Sequence, residues 1–223
     1  MAEYFNEHEQ GEAVKKWLRE NGGAIVMGLV IAFGGLFGVR QWQSWDVNQK
    51  QRASAEFEIM SQLLSEDQLD AAMDNYQTLK EDFSESPYAS LAALQMARAR
   101  LDAGQTDLAV TLYQFVADNG TPSALKTIGT ERLARVLLDQ GKPEEAISLL
   151  DQNSGTTGFE ASTAEVRGDI YSALGRTEEA IDSYQLALDT LEEGVGDRGF
   201  LELKLKSLGG VPAETESEDG NQS

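Results

Sequence analysis

The sequence predicts an all-α fold: a single transmembrane helix, then a solenoid of about four repeated helix hairpins closed by a short C-terminal capping helix. Three observations lead there. Residues 22–39 run eighteen positions without a charge. Alanines recur in helical patterns at 72, 109, 146 and 180, separated by 37, 37 and 34 residues. A glycine stands five residues before each of the last three, where a helix-turn-helix needs a left-handed residue.

Composition narrows the function before any motif does. The 223 residues leave room for one soluble domain beside an appended segment. The net charge of −20 repels phosphates, so nucleic-acid binding is set aside. It leaves a weak, salt-screened attraction for basic or unfolded partners. There is no cysteine, hence no disulfide, thiolate nucleophile or cysteine-based zinc site. His8 is the only histidine. No phosphate loop or dinucleotide fingerprint occurs. The acid pairs Glu144-Glu145 and Glu178-Glu179 read as solvated helix starts. No catalytic residue, metal site or cofactor is expected, and the chain reads as a binder.

Residues 1–21 form a short N-terminal segment. Ala13, Val14, Trp17 and Leu18 share one face at helical spacing, with Lys15, Lys16 and Arg19 away from it. An amphipathic helix over 9–20 is expected, capped by Asn21-Gly22. Residues 22–41 are read as the transmembrane helix, because eighteen residues at ~1.5 Å each cover about the hydrocarbon thickness of a bilayer. Trp17 lies before the run, and Trp42 and Trp45 after it, as in an aromatic belt. The leader carries Glu3, Glu7, Glu9, Glu12 and Glu20, unlike the basic leader of a signal peptide. An uncleaved anchor is therefore preferred to a signal peptide or a buried core helix. Ala24, Gly28 and Ala32, with Gly34 and Gly38, make a small-residue face suited to packing on another membrane helix. Lys15, Lys16 and Arg19 balance Arg40, Lys50 and Arg52, so charge alone leaves the orientation open.

Residues 42–208 are read as the repeat domain. Its first helix is expected from about Trp42 to Leu64, with no Pro or Gly between Arg40 and Leu64. The clearest unit is 165–188, with Gly168, Tyr171, Gly175, Ala180, Tyr184 and Ala187. These match the tetratricopeptide (TPR) pattern in type and spacing. Ala97, Gly104, Ala109 and Tyr113 repeat it, as do Ala134, Gly141, Ala146 and Leu150. A degenerate unit has Ala72, Tyr76 and Leu79. Small residues let paired helices cross closely, and each hairpin leaves an apolar face that its neighbour must cover. Counting along each first helix nominates a partner-binding groove of Arg98, Leu101, Asp102, Glu131, Arg135, Asp139, Glu165, Asp169 and Ser172. Solvated helix faces are the plainer account of the same residues. Residues 200–208 alternate apolar and polar, but a lone strand has no sheet to join, so a capping helix is preferred. Residues 209–223 are a polar acidic tail, expected to be disordered. Arg167-Gly168-Asp169 spells an adhesive tripeptide, but its glycine is the small position of a helix.

The block Glu12-Ala13-Val14-Lys15, then an aromatic, then Glu20-Asn21-Gly22, then a span closing in Gly-Val-Arg-Gln-Trp, resembles the YfgM family. These are ancillary subunits of the SecYEG translocon. The resemblance implies a Gram-negative inner-membrane protein, single-pass, with a cytoplasmic N-terminus and a periplasmic TPR domain. It implies the SecYEG translocon, a PpiD-type periplasmic chaperone and emerging or unfolded polypeptides as partners, with membrane lipid around the span. It also implies a link to envelope stress signalling. A TPR scaffold for another envelope machine, in cell division or outer-membrane assembly, is the alternative.

Overall fold

The structure, a computed structural model, describes residues 3–153 and 157–212. The tail from 213 on lies outside the described residues. So do the side chains of 3–10, 12–14, 25, 38–39 and 42–46, which include His8, Ala13, Val14, Trp42 and Trp45, and the environment of Gly38. Nine helices are described: α1 (Glu3–Ser65), α2 (Leu69–Asp82), α3 (Pro87–Asp102), α4 (Thr106–Asn119), α5 (Ser123–Asp139), α6 (Pro143–Gln152), α7 (Glu160–Ala173), α8 (Thr177–Thr190) and α9 (Arg198–Ser207). The chain divides into two units, Met1–Arg52 and Ala53–Ser223.

In the first unit α1 runs through the expected cap at Asn21-Gly22, which corrects that reading. The Asn21 side-chain amide donates to the Trp17 carbonyl one turn back, at 3.0 Å, so it supports the helix instead of ending it. A C-cap glycine needs positive φ, and Gly22 stays helical. Among the described residues no single helix is long and apolar enough to cross a membrane. Lys15–Ala24 and Val26–Phe37 meet that test only as a pair bent by 41°. The adjacent glycines Gly22 and Gly23 stand just before the bend, where missing side chains weaken the helix. Val26, Met27, Leu29, Val30, Ile31, Phe33, Leu36 and Phe37 are each more than half exposed.

The second unit is built of hairpins, each a helix A followed by a helix B. The last turns of α1 form the first helix A, with Ala53 and Met60 buried. Its Phe57 packs on Tyr88 of α3, ring centroids 5.6 Å apart. The hairpins that follow are α3–α4, α5–α6 and α7–α8, and α9 covers α8; the end of α1 is tied to α2 by the Asn75 amide, which donates to Glu56 Oε2 at 3.0 Å. Three turns close the same way: Gly104, Gly141 and Gly175 sit at φ 73°, 73° and 70°. There the N–H groups of Gln105, Lys142 and Arg176 reach back to the carbonyls of Arg100, Leu137 and Tyr171. This satisfies carbonyls that a helix end would leave orphaned. The first turn does likewise with Asp67 at φ 57°, and the Gln68 N–H bonds to the Leu63 carbonyl. The degenerate unit therefore keeps the geometry without the glycine.

Ala72, Ala109, Ala146 and Ala180 are fully buried. A Cβ on Gly168 would lie 2.5 Å from Tyr184 Cδ1, which is why the best-matched unit has no side chain there. Gly129 of α5 plays a similar part between hairpins: its Cβ would meet the Ala117 backbone nitrogen at 2.8 Å. The acids Glu144, Glu145, Glu178 and Glu179 stand in the first turns of α6 and α8, beside the positive helix ends. Residues 198–207 are helical, as preferred to a strand. Asp197 caps α9 by accepting from the Phe200 N–H at 2.9 Å. Leu201 and Leu205 bury themselves with Ala187 and Leu188 in a second apolar cluster.

Candidate functional site: a cleft on the helix A side

Helices α3 and α5, and α5 and α7, lie side by side as successive helix A members. Between the end of α1, α3 and α5 there is a cleft of about 650 Å³. Leu64, Leu94 and Ile128 give it apolar walls, and Tyr113 of α4 reaches in from behind. Arg98, Asp102 and Arg132 supply its charge. Arg98 Nε donates to Asp102 Oδ2 at 3.0 Å, one helical turn away. Arg132 makes no hydrogen bond or ion pair of its own among the described residues, so its charge faces the cleft. Burial raises the pKa of the Tyr113 phenol, and the charges of Arg132 and Arg98 oppose that rise.

The nine nominated residues do not form one surface. Arg98 and Asp102 line the cleft. Leu101 packs against the core, while Asp139 is exposed and Ser172 half-buried outside the cleft. Glu131 is nearly buried and accepts from Ser162 Oγ at 2.8 Å and Thr163 Oγ1 at 2.7 Å, tying α5 to α7. Arg135, Glu165 and Asp169 come together, with Arg135 Nη1 3.4 Å from Asp169 Oδ2 and Nη2 3.8 Å from Glu165 Oε2. Lys204 of α9 enters the same cluster, and the Tyr184 hydroxyl donates to Asp169 Oδ1 at 2.8 Å. Towards the C-terminal end, the helix A row is thus engaged with its own chain. Sequence counting missed Arg132, one residue from Glu131 and therefore about 100° round the helix. The adhesive tripeptide lies within α7, with Arg167 paired to Asp151.

In the first unit Ala24, Gly28, Ala32 and Gly34 are exposed. A Cβ on Gly28 or Gly34 would meet nothing within 4 Å among the described residues. Among the described residues no group of three or more His, Asp or Glu is placed to hold a metal ion.

Residues 15–210 match the family described as "Tetratricopeptide repeat-like domain". The chain belongs to this family. The TPR-like chain is also similar to proteins called "Ancillary SecYEG translocon subunit". That of Escherichia coli (strain K12) is 32% identical over 102 residues, 46% of this chain and 48% of that one. That of Aggregatibacter actinomycetemcomitans is 35% identical over 104 residues, 46% of this chain and 50% of that one. That of Haemophilus influenzae Rd is 30% identical over 98 residues, 44% and 48% of the two chains. The chain spans about half the length of the curated relatives it matches.

Proposed function

We propose that this chain is a membrane-tethered TPR adaptor that associates with the SecYEG translocon and assists newly translocated proteins in the periplasm. The observation that carries the binding role is the helix A cleft, with Arg132, unpaired among the described residues, beside apolar walls. A TPR stack exposes such a surface for an extended partner segment. The translocon assignment draws on the relatives' names. The membrane assignment draws on the bare apolar stretch of α1, since eight large side chains more than half exposed suit lipid far better than water. The N-terminus lies in the cytoplasm and the repeat unit in the periplasm. A tether raises the local concentration of the repeat unit near emerging polypeptides and near a PpiD-type chaperone.

Photo-crosslinkers at Val30 and Leu94 of the full chain, in native membranes, test this. Position 30 is expected to reach translocon subunits, and position 94 a periplasmic chaperone or an emerging chain. Crosslinks from both positions only to division or outer-membrane assembly proteins would overturn the translocon reading. A reporter fused after Leu208 and active only in the cytoplasm would overturn the orientation. Unchanged partner co-purification in Arg98→Glu and Arg132→Glu would overturn the use of the cleft.

A further inference from the structure

A second cleft, of about 800 Å³, opens on the helix B side between α4 and α6, over α5. It is open for a reason visible in the repeats. At the preceding junction, between α2 and α4, Phe115 stands edge-on to Tyr76 with ring centroids 6.2 Å apart. Lys80 sits over the Phe115 ring at 5.4 Å, completing the closure. Phe115 follows the buried Ala109 by six residues, and six residues after Ala146 the chain has Gln152. Gln152 is exposed and lines the cleft. An amide stands where the repeat before it used a ring, and the junction is left unfilled.

The chemistry of this cleft is lopsided. Val110, Leu137 and Leu149 give it an apolar floor. Its rim carries the carboxylates of Asp107, Glu144 and Glu145 against a single cation, Lys142. None of the three carboxylates forms an ion pair among the described residues. Gln140, also lining the cleft, has a buried Oε1 with no hydrogen-bond donor among the described residues.

We propose that the α4–α6 cleft docks a basic amphipathic segment of a partner protein, with an arginine or lysine set beside apolar side chains. The aliphatic stem of such a residue lies along Leu137 and Leu149 while its head meets the rim carboxylates. An acidic segment would meet three like charges. This surface is distinct from the helix A cleft and does not depend on it.

The test uses the full chain in phosphatidylcholine nanodiscs, titrated with a fluorescent peptide of alternating leucine and arginine. A matched peptide with glutamate for arginine is the comparison. The arginine peptide is expected to bind and to weaken with salt. Glu145→Lys and Gln152→Phe are each expected to weaken it about tenfold. Glu178→Lys, an equal change of charge outside the cleft, is expected to leave affinity unchanged. The proposal is overturned if the cleft variants bind like the parent, if Glu178→Lys weakens binding as much as Glu145→Lys, or if the glutamate peptide binds equally well. Glu145 is exposed, so Glu145→Lys keeps the test decisive if Gln152→Phe disturbs packing.

Discussion

Lys204 of α9 places its Nζ 2.7 Å from Oδ1 of Asp169 on α7, across 35 residues of sequence. The same ammonium lies 2.8 Å from Glu165 Oε1. Asp169 in turn faces Arg135 and accepts from Tyr184, so one carboxylate joins α5, α7, α8 and α9. The cap helix therefore does more than cover apolar surface. It neutralises the acids at the end of the helix A row.

Lys204→Met is expected to cost about 1–2 kcal/mol, because it leaves two partly buried carboxylates with one cation in place of two. The figure sits low because the side chains of Lys204 and Asp169 retain 17% and 19% exposure and are partly screened. Urea unfolding of the full chain measures it, and an unchanged midpoint would show the bond to be incidental.

Gly129→Ala is expected to destabilise, against the trend of helix propensity. Alanine gains about 1 kcal/mol in a helix over glycine. Here its Cβ would press on the Ala117 backbone nitrogen and Val116 Cβ, both at 2.8 Å, and the α4 backbone cannot swing aside. Overpacking of this kind costs about 1–3 kcal/mol. Thermal unfolding should show a lowered Tm, and a raised Tm would mean that α4 and α5 separate more freely than their packing indicates.

The turns make a paired prediction of opposite sign. Gly141→Ala puts a Cβ into a left-handed position and is expected to cost about 1–2 kcal/mol. Asp67→Gly relieves the same conformation in the first turn and is expected to gain about 0.5 kcal/mol, after the greater freedom of glycine in the unfolded chain is counted. Chemical denaturation of both variants checks the pair. Equal signs would contradict the shared turn geometry.

Alkaline pH should loosen the repeat unit through its buried phenols. Burial pushes Tyr76 up from 10.0 to about 12. Tyr113 is raised chiefly by burial, and Tyr184 by burial and then by its bond to Asp169. The folded state thus holds protons that the unfolded chain releases. Their contribution is full below about pH 10 and is lost as pH rises towards 12. Stability measured at a series of alkaline pH values should fall over that interval, and Tyr76→Phe should make the fall shallower. An identical slope in Tyr76→Phe would remove Tyr76 from the account.

The helix B alanines and the glycines at 104, 141 and 175 were legible because each answers a local demand. A close helix crossing needs a small side chain, and a tight turn needs positive φ. The cap helix was legible for a related reason, since a lone strand has no partner. Asp67 was less so: aspartate tolerates the left-handed region without advertising it. Asn21-Gly22 misled because the same pair that ends a helix in a loop can also continue one.

By itself, the sequence determined an all-helical repeat chain with one long apolar stretch, no cysteine and a strongly acidic surface. Tertiary structure alone decided which charges face a cleft and which are spent on neighbouring helices. Arg132 and Arg135 share one helix, yet among the described residues Arg132 stays unpaired while Arg135 meets Asp169 from 34 residues away. The open α4–α6 junction likewise depends on what one helix offers the next. Periodicity reports the demands of a single helix; the matching of side chains across helices is set only when the hairpins stack.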